Sequence, residues 1–218
     1  MCNPFNPRAR FIVFEGLDGC GKTTQLKMLS ERLSDHPHIR TREPSDGAIG
    51  RLIRESVSGG AQVGPLAFNS ETLALLFAAD RVKHISDEVM PALRSGKTVL
   101  CDRYYYSNIA YQSDGADTRR LFQYNAYAMK TAKPDLVLFI DIPPEECFQR
   151  LTVRRAEEKE NLTIFENIEK LRLARERYME IFGELRETEN IVTINASGLS
   201  AEKTAEQIWE RINHHALE

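Results

Sequence analysis

The stretch Gly16-Leu17-Asp18-Gly19-Cys20-Gly21-Lys22-Thr23 fits GxxxxGK[ST] at every fixed position. It follows a short apolar run and opens a helical pattern, the context this motif requires. The chemistry it suits is phosphate binding. Glycines let backbone N–H groups curl around phosphate oxygens, and a helix N-terminus adds partial positive charge. Lys22 can reach the β- and γ-phosphates of a nucleotide, and the Thr23 hydroxyl is placed to ligate Mg²⁺. The candidate donor set is Gly16, Leu17, Asp18, Gly19, Cys20, Gly21, Lys22, Thr23 and Thr24, with Cys20 a small filler at a variable position.

A second group of segments recurs at strand ends. Thr41-Arg42-Glu43-Pro44 closes the second strand pattern, and Asp102-Arg103-Tyr104 closes the third, followed by Ser107-Asn108 and Tyr111-Gln112. In a doubly wound sheet these ends open on the same edge as the phosphate loop. Arg103 suits bidentate binding of an acceptor phosphate. Asp102 is placed to orient that arginine or to assist the metal, and a plain strand-end ion pair is the competing reading.

Between these segments runs a helical pattern over 70–95. At 100° per residue Leu75, Ala78, Val82, Ile85, Val89 and Leu93 form one apolar stripe, which is expected to face the core. Phe77 falls roughly 130° and Arg81 roughly 90° from its centre. A phenylalanine off the core face with an arginine one turn later can stack on a planar base and bond its carbonyl edge. Equally, Phe77 can pack on a second layer or subunit while Arg81 pairs with Asp80 or Asp87. Leu73 and Leu76 also lie off the stripe, leaving a second apolar surface.

The elements that must position these residues alternate. Nearly continuous apolar or β-branched runs at Phe11–Glu15, Ile39–Glu43, Thr98–Asp102, Leu136–Ile142 and Ile191–Asn195 read as strands covered on both faces. Helical patterns lie at about 21–35, 48–58, 70–95, 117–132, 144–155, 167–187 and 200–216. The fold class expected is α/β: a P-loop NTPase-like, doubly wound, mostly parallel five-stranded sheet flanked by helices, one domain over 1–218. The stretch 56–70 reads as a loop insertion, and the charged EEKENLT at 157–163 as a flap. Arg150 and Arg154, four apart, share a helix face just before that flap, so a lid is expected at about 150–166.

Composition narrows the partners. A formal net charge of −3 gives no electrostatic reason to expect nucleic acid or an anionic membrane. The four cysteines are scattered, none in a CxxC pair, which disfavours a disulfide framework or zinc site and fits a reducing, cytoplasmic setting. The N-terminal MCNPFNPRAR has no apolar h-region, and no window approaches 18 apolar residues, so no membrane partner is expected.

With Glu15 before the loop and Asp18-Gly19 inside it, the ordered TREP, FAADR, DRY and AYQ segments make residues 10 to 180 resemble the thymidylate kinases. That resemblance implies transfer from ATP, with Mg²⁺, to dTMP, in a homodimer packed through the 70–95 region. It implies that Phe77 stacks on thymine and Arg81 reads a thymine carbonyl, with Asn108 and Gln112 also able to touch the base. It implies that Arg103 and Arg42 hold the acceptor phosphate, that Tyr111 crowds the sugar 2′ position, and that Asp18 lies near the 3′-hydroxyl. Glu15, Glu43, Pro44 and Ser107 complete the acceptor set, and Thr23 and Asp102 the metal set. The loop positions Leu17 to Cys20 supply no arginine, so the chain resembles the group with lid arginines, Arg154 first and Arg150 beside it.

Two departures stand out. Ile164 occupies a family arginine position, leaving Arg155 or Lys159 to compensate, and Ser45 replaces the usual glycine after TREP. No Asn-Lys-x-Asp guanine-reading segment is present, which argues against a GTPase. A P-loop kinase for another acceptor, or a nucleotide-binding regulatory module, are the alternatives.

Overall fold

A computed structural model describes residues 9–58, 68–113, 115–158 and 165–216. Most of the expected 56–70 loop and 157–163 flap, with Lys159 and Ile164, lies outside these residues. Five strands, β1 (Phe11–Gly16), β2 (His38–Arg42), β3 (Thr98–Asp102), β4 (Leu136–Asp141) and β5 (Ile191–Asn195), form one sheet. The order is β2-β3-β1-β4-β5 with every pair parallel. Every β1 residue is buried, as the uninterrupted apolar run requires of a central strand with helices on both faces.

The helices are α1 (Lys22–Arg32), α2 (Ala48–Ser58), α3 (Ser70–His84), α4 (Met90–Arg94), α5 (Tyr105–Gln112), α6 (Thr118–Thr131), α7 (Pro144–Glu158), α8 (Ile168–Leu185) and α9 (Ala201–Ala216). The chain leaves β1 toward β2 and β3 on one side and reaches β4 and β5 on the other. The C-terminal end of β1 is therefore the switch point where such sheets bind ligands. Register brings the relevant ends together: Phe14 stands opposite Asp102, and Arg42 opposite Asp102 from the other side.

Three expectations change. The helix α5 had no place among the periodic segments, because Tyr104, Tyr105, Tyr106, Asn108, Ile109, Ala110 and Gln112 are all buried and leave no amphipathic alternation. The single helix expected over 70–95 is broken by a π segment at Ile85–Val89. Pro91, just beyond, lacks an N–H, and its ring crowds the carbonyl four residues back, at Asp87, inside the widened turns.

The α3 stripe is also rotated. Leu75 is 47% and Val82 40% exposed, whereas Leu73, Ala74, Ala78, Asp80, Arg81 and His84 are buried. The inward face of α3 lies roughly 115° from the centre of the expected stripe, although Ala78, Ile85 and Val89 of that stripe are buried as expected. Arg81 is thus no surface partner of Asp80 or Asp87 but a buried cation. Polar pairing, invisible to a hydrophobicity pattern, decides the rotation: Arg81 Nε donates to Glu43 Oε2 at 2.7 Å, and His84 Nδ1 lies 3.1 Å from Glu43 Oε1.

Candidate active site

Two adjoining clefts open at the C-terminal edge of the sheet. The first is lined by the phosphate loop and α1, with Gly19, Gly21, Lys22, Thr23 and Thr24 joined by Asp102 and Arg150. Gly21 caps α1 at φ +98°, and Gly19 sits at φ +84° with the Cys147 carbonyl 2.5 Å from where a Cβ would be. A side chain at Gly19 would collide with that carbonyl, and one at Gly21, where there is space, would be strained by the left-handed backbone. Lys22 Nζ donates to the carbonyls of Gly16 at 3.0 Å and Leu17 at 2.8 Å, which aims its charge across the loop. Thr23 Oγ1 donates to Asp102 Oδ2 at 2.7 Å.

The second cleft is lined by Glu43 and Pro44 just after β2, by Phe77, Arg81, Ser107, Asn108, Tyr111 and Gln112 from α3 and α5, and by Arg54 and Val57 of α2. Arg155, Phe165 and Glu166 close it from the lid side. The Phe165 ring meets Tyr111 edge-on at 5.6 Å. Ser45, the departure from glycine, is buried, and its N–H and hydroxyl both donate to Asp80 at 2.6 Å, so the serine pins the turn after the cis Glu43–Pro44 bond.

Asp18, Arg103 and Arg154 line both clefts. Arg103 stands at φ +73°, a conformation that costs a non-glycine residue about 1–2 kcal/mol. Its N–H bonded to Phe14 O at 2.9 Å helps hold it there. Nη2 donates to Asp18 Oδ1 at 2.7 Å, and Nη1 to Ser107 Oγ at 2.8 Å and Gly16 O at 3.2 Å. Burial alone would push the Asp18 carboxyl up, but Arg103 and Lys22 together outweigh it and hold it at about 2. Asp18 is therefore ionised throughout the neutral range. Its N–H donates to the Tyr111 hydroxyl at 3.2 Å, tying the loop to α5.

Some expected residues stand elsewhere. Glu15 is buried beneath the site rather than lining it: its carboxylate accepts from Tyr104 N–H at 2.7 Å, Ser107 Oγ at 2.7 Å and Tyr178 hydroxyl at 2.8 Å. It shapes the floor under Arg103, and burial pushes its carboxyl up against the pull of Arg103. Leu17 and Cys20 are buried and contribute backbone. Arg42 pairs with Asp46 at 2.7 Å and, as the last residue of the edge strand β2, lines not the acceptor cleft but a third groove, which it shares with Lys27, Arg40 and the donor-cleft residues Thr23, Thr24 and Asp102.

Arg54 stands on the acceptor cleft instead, anchored through Nη1 to the carbonyls of Pro44 and Ser45, each at 2.7 Å. Sequence reading passed it over because only the turn of α2 separates it from Arg51. Tyr178, from a distant segment with no local motif, was missed as well, whereas Phe165 and Glu166 fall inside the expected lid but had been given no role in the site. On α7, Arg150 pairs with Glu146 at 2.5 Å, while Arg154 and Arg155 both donate to the buried Glu166, at 3.3 and 3.0 Å.

The comparisons agree with this geometry. The thymidylate kinase family model matches residues 14–208. The chain is 41% identical over 186 residues to the "Probable thymidylate kinase" of Pyrococcus horikoshii, covering 82% of this chain and 87% of that one. It is 38% identical over 217 residues to that of Pyrococcus abyssi, covering 96% and 98%. Among solved structures, the thymidylate kinase of Candida albicans superposes with a TM-score of 0.75 at 26% identity, covering 96% of this chain and 94% of that one. A phosphate loop at the switch point, a buried arginine under a second cleft and this extent of likeness lead to one statement: the chain belongs to the thymidylate kinase family.

Proposed function

We propose that the two clefts hold ATP and dTMP, and that their shared wall of Asp18, Arg103 and Arg154 is where the phosphoryl group passes. That shared wall is the observation that carries the reading. An oxygen of the acceptor phosphate attacks the γ-phosphorus, the bond to the β–γ bridging oxygen breaks, and ADP leaves with that electron pair. The protein's task is positioning and charge neutralisation, since the transition state spreads its charge over the equatorial oxygens. Lys22 and the loop N–H groups take the donor phosphates. Arg103, held rigid by Asp18 and Ser107, meets the acceptor phosphate, with Arg54 on the α2 side. Phe77 faces the base and Tyr111 the sugar. The Thr23 hydroxyl and Asp102 carboxylate are hard oxygens suited to Mg²⁺, which would be held there beside the nucleotide and would neutralise developing charge.

The enzyme works as a homodimer in this reading, through the exposed Leu75 and Val82 of α3. A coupled assay with ATP and a panel of nucleoside monophosphates tests the assignment. dTMP is expected to be turned over best, and Lys22→Ala to retain under a tenth of that activity with dTMP binding preserved. Preference for a different acceptor would overturn the substrate, and an active Lys22→Ala the donor site.

A further inference from the structure

The hydrogen bonds of Arg103 gather at one end of its guanidinium. Nη1 donates to Ser107 Oγ at 2.8 Å and to Gly16 O at 3.2 Å, and lies 3.4 Å from the Tyr178 hydroxyl. Nη2 donates to Asp18 Oδ1 at 2.7 Å. Among the described residues no hydrogen bond takes Nε. The Nε–Nη2 edge is therefore the one left for two phosphate oxygens, and whatever fixes Nη1 decides where that edge points. The local backbone does not favour the position, since φ is +73°.

Behind Nη1 three oxygens form a buried triangle. Ser107 Oγ lies 2.7 Å and the Tyr178 hydroxyl 2.8 Å from Glu15 Oε2, and the two hydroxyls are 2.8 Å apart. Glu15 cannot turn away, because its Oε1 accepts from the N–H groups of Tyr104 at 2.7 Å and Ser107 at 3.3 Å. Tyr178 comes from α8, and its ring packs with Phe139 and Phe182 at centroid distances of 5.1 and 5.6 Å. A phenylalanine would fill that space equally well. The hydroxyl is the one polar atom the tyrosine adds, and burying it is costly unless it is bonded. Burial pushes the phenol well above its ordinary 10, so it remains an O–H donor. We infer that Tyr178 is a positioning residue for phosphoryl transfer: its hydroxyl closes the triangle with Ser107 and Glu15 that seats Nη1, and so aims the free edge of Arg103 at the acceptor phosphate. The inference rests on the kinase reading above, in which Arg103 meets that phosphate.

Tyr178→Phe keeps the ring and deletes the hydroxyl. Steady-state kinetics of Tyr178→Phe, Arg103→Ala and the double variant, with a thermal melt of each to establish folding, supply the test. Tyr178→Phe is expected to lower kcat at least about tenfold, with the KM values for ATP and dTMP each within about threefold, because a misaimed arginine is felt mainly in the transition state. In the Arg103→Ala background the same change is expected to cost less than about threefold, since the residue acts through an arginine that is no longer there. A kcat within about threefold of wild type in folded Tyr178→Phe overturns the inference. So does a loss as large without Arg103 as with it, which is what a packing role would give. If Tyr178→Phe does not fold, Ser107→Ala decides, since it cuts the link between Nη1 and the triangle. It must lower kcat with the same dependence on Arg103; no loss, or a loss independent of Arg103, overturns the inference. Wild-type enzyme that phosphorylates another monophosphate in place of dTMP would overturn the dTMP reading instead, and the same cycle is then read with that acceptor.

Discussion

Arg154, itself half-exposed, reaches the walls of both clefts from α7, and among the described residues its ion pairs are long, 3.3 Å to Glu166 and 3.9 Å to Glu158. Such weak pairing suits a side chain that moves onto the phosphoryl group as charge develops. Arg154→Ala is expected to lower kcat about 10²-fold and change the ATP KM only a few-fold, because the lost contact belongs to the transition state. Single-turnover kinetics that leave kcat within about threefold would move the role to Arg155. Asp18 supports a second prediction. Its carboxyl, held at about 2, contributes stability that is present above its ordinary 3.8 and is lost only as pH falls toward 2. Asp18→Asn should therefore cost at least about tenfold in kcat/KM while the shape of the pH–rate profile between pH 5 and 9 stays as in wild type. Disappearance of an acid limb in that variant would mean that Asp18 titrates during turnover. For the acceptor side, Phe77→Ala should raise the dTMP KM more than the ATP KM, since stacking contributes about 1–3 kcal/mol per base. Equal effects on the two substrates would mark Phe77 as packing alone.

At the scale of elements, the base side of the cleft depends on α3 keeping a polar face inward. His84 ends that helix, with its Nε2 2.6 Å from Thr41 Oγ1 and its Nδ1 on Glu43, the carboxylate that also holds Arg81. Burial pulls the imidazolium down, but Glu43, Glu88 and Asp80 outweigh it and raise the His84 pKa above its ordinary 6.5. A group raised in this way contributes stability that is full below the unfolded value and is lost as pH rises through the folded one. His84→Gln should therefore destabilise by about 1–3 kcal/mol at pH 6, with the gap from wild type narrowing at pH 9. Melting curves at the two pH values check the sign; a gap that widens with pH would show that the histidine is neutral in the folded protein.

For the whole molecule, the rotation of α3 leaves Leu75 and Val82 one above the other on the outside, seven residues apart, with the exposed Ala79 between them. A single exposed leucine needs no explanation, but an apolar row on one helix face does. Leu73, one of the two leucines expected to form that surface, is buried against the core instead. A homodimer covering the row should give a light-scattering mass of about twice 24.9 kDa at micromolar concentration, and Leu75→Asp should shift it to the monomer. A wild-type mass equal to one chain would remove the dimer.

Strand β1, the loop Gly16–Thr23 and the start of helix α1 were legible to within a residue, although α1 ends at Arg32 rather than near 35, because the phosphate loop is local: its glycines, lysine and hydroxyl act through backbone a few residues away. The alternation of buried strands and helices likewise determined the parallel sheet, since a strand apolar on both faces has few ways to be covered. What the chain could not show locally were choices made between segments. Arg54 rather than Arg42 faces the acceptor cleft because β2 lies at the sheet edge, and that follows from strand order. The inward turn of α3 and the helix α5 with its buried tyrosines follow from polar groups that find partners far along the chain, 27 to 44 residues away for Arg81 and 83 to 84 for Tyr105 and Tyr106. Hydrophobic periodicity records which side of an element avoids water, but a buried ion pair puts charge on that side, and only the tertiary structure supplies the partner that makes this favourable.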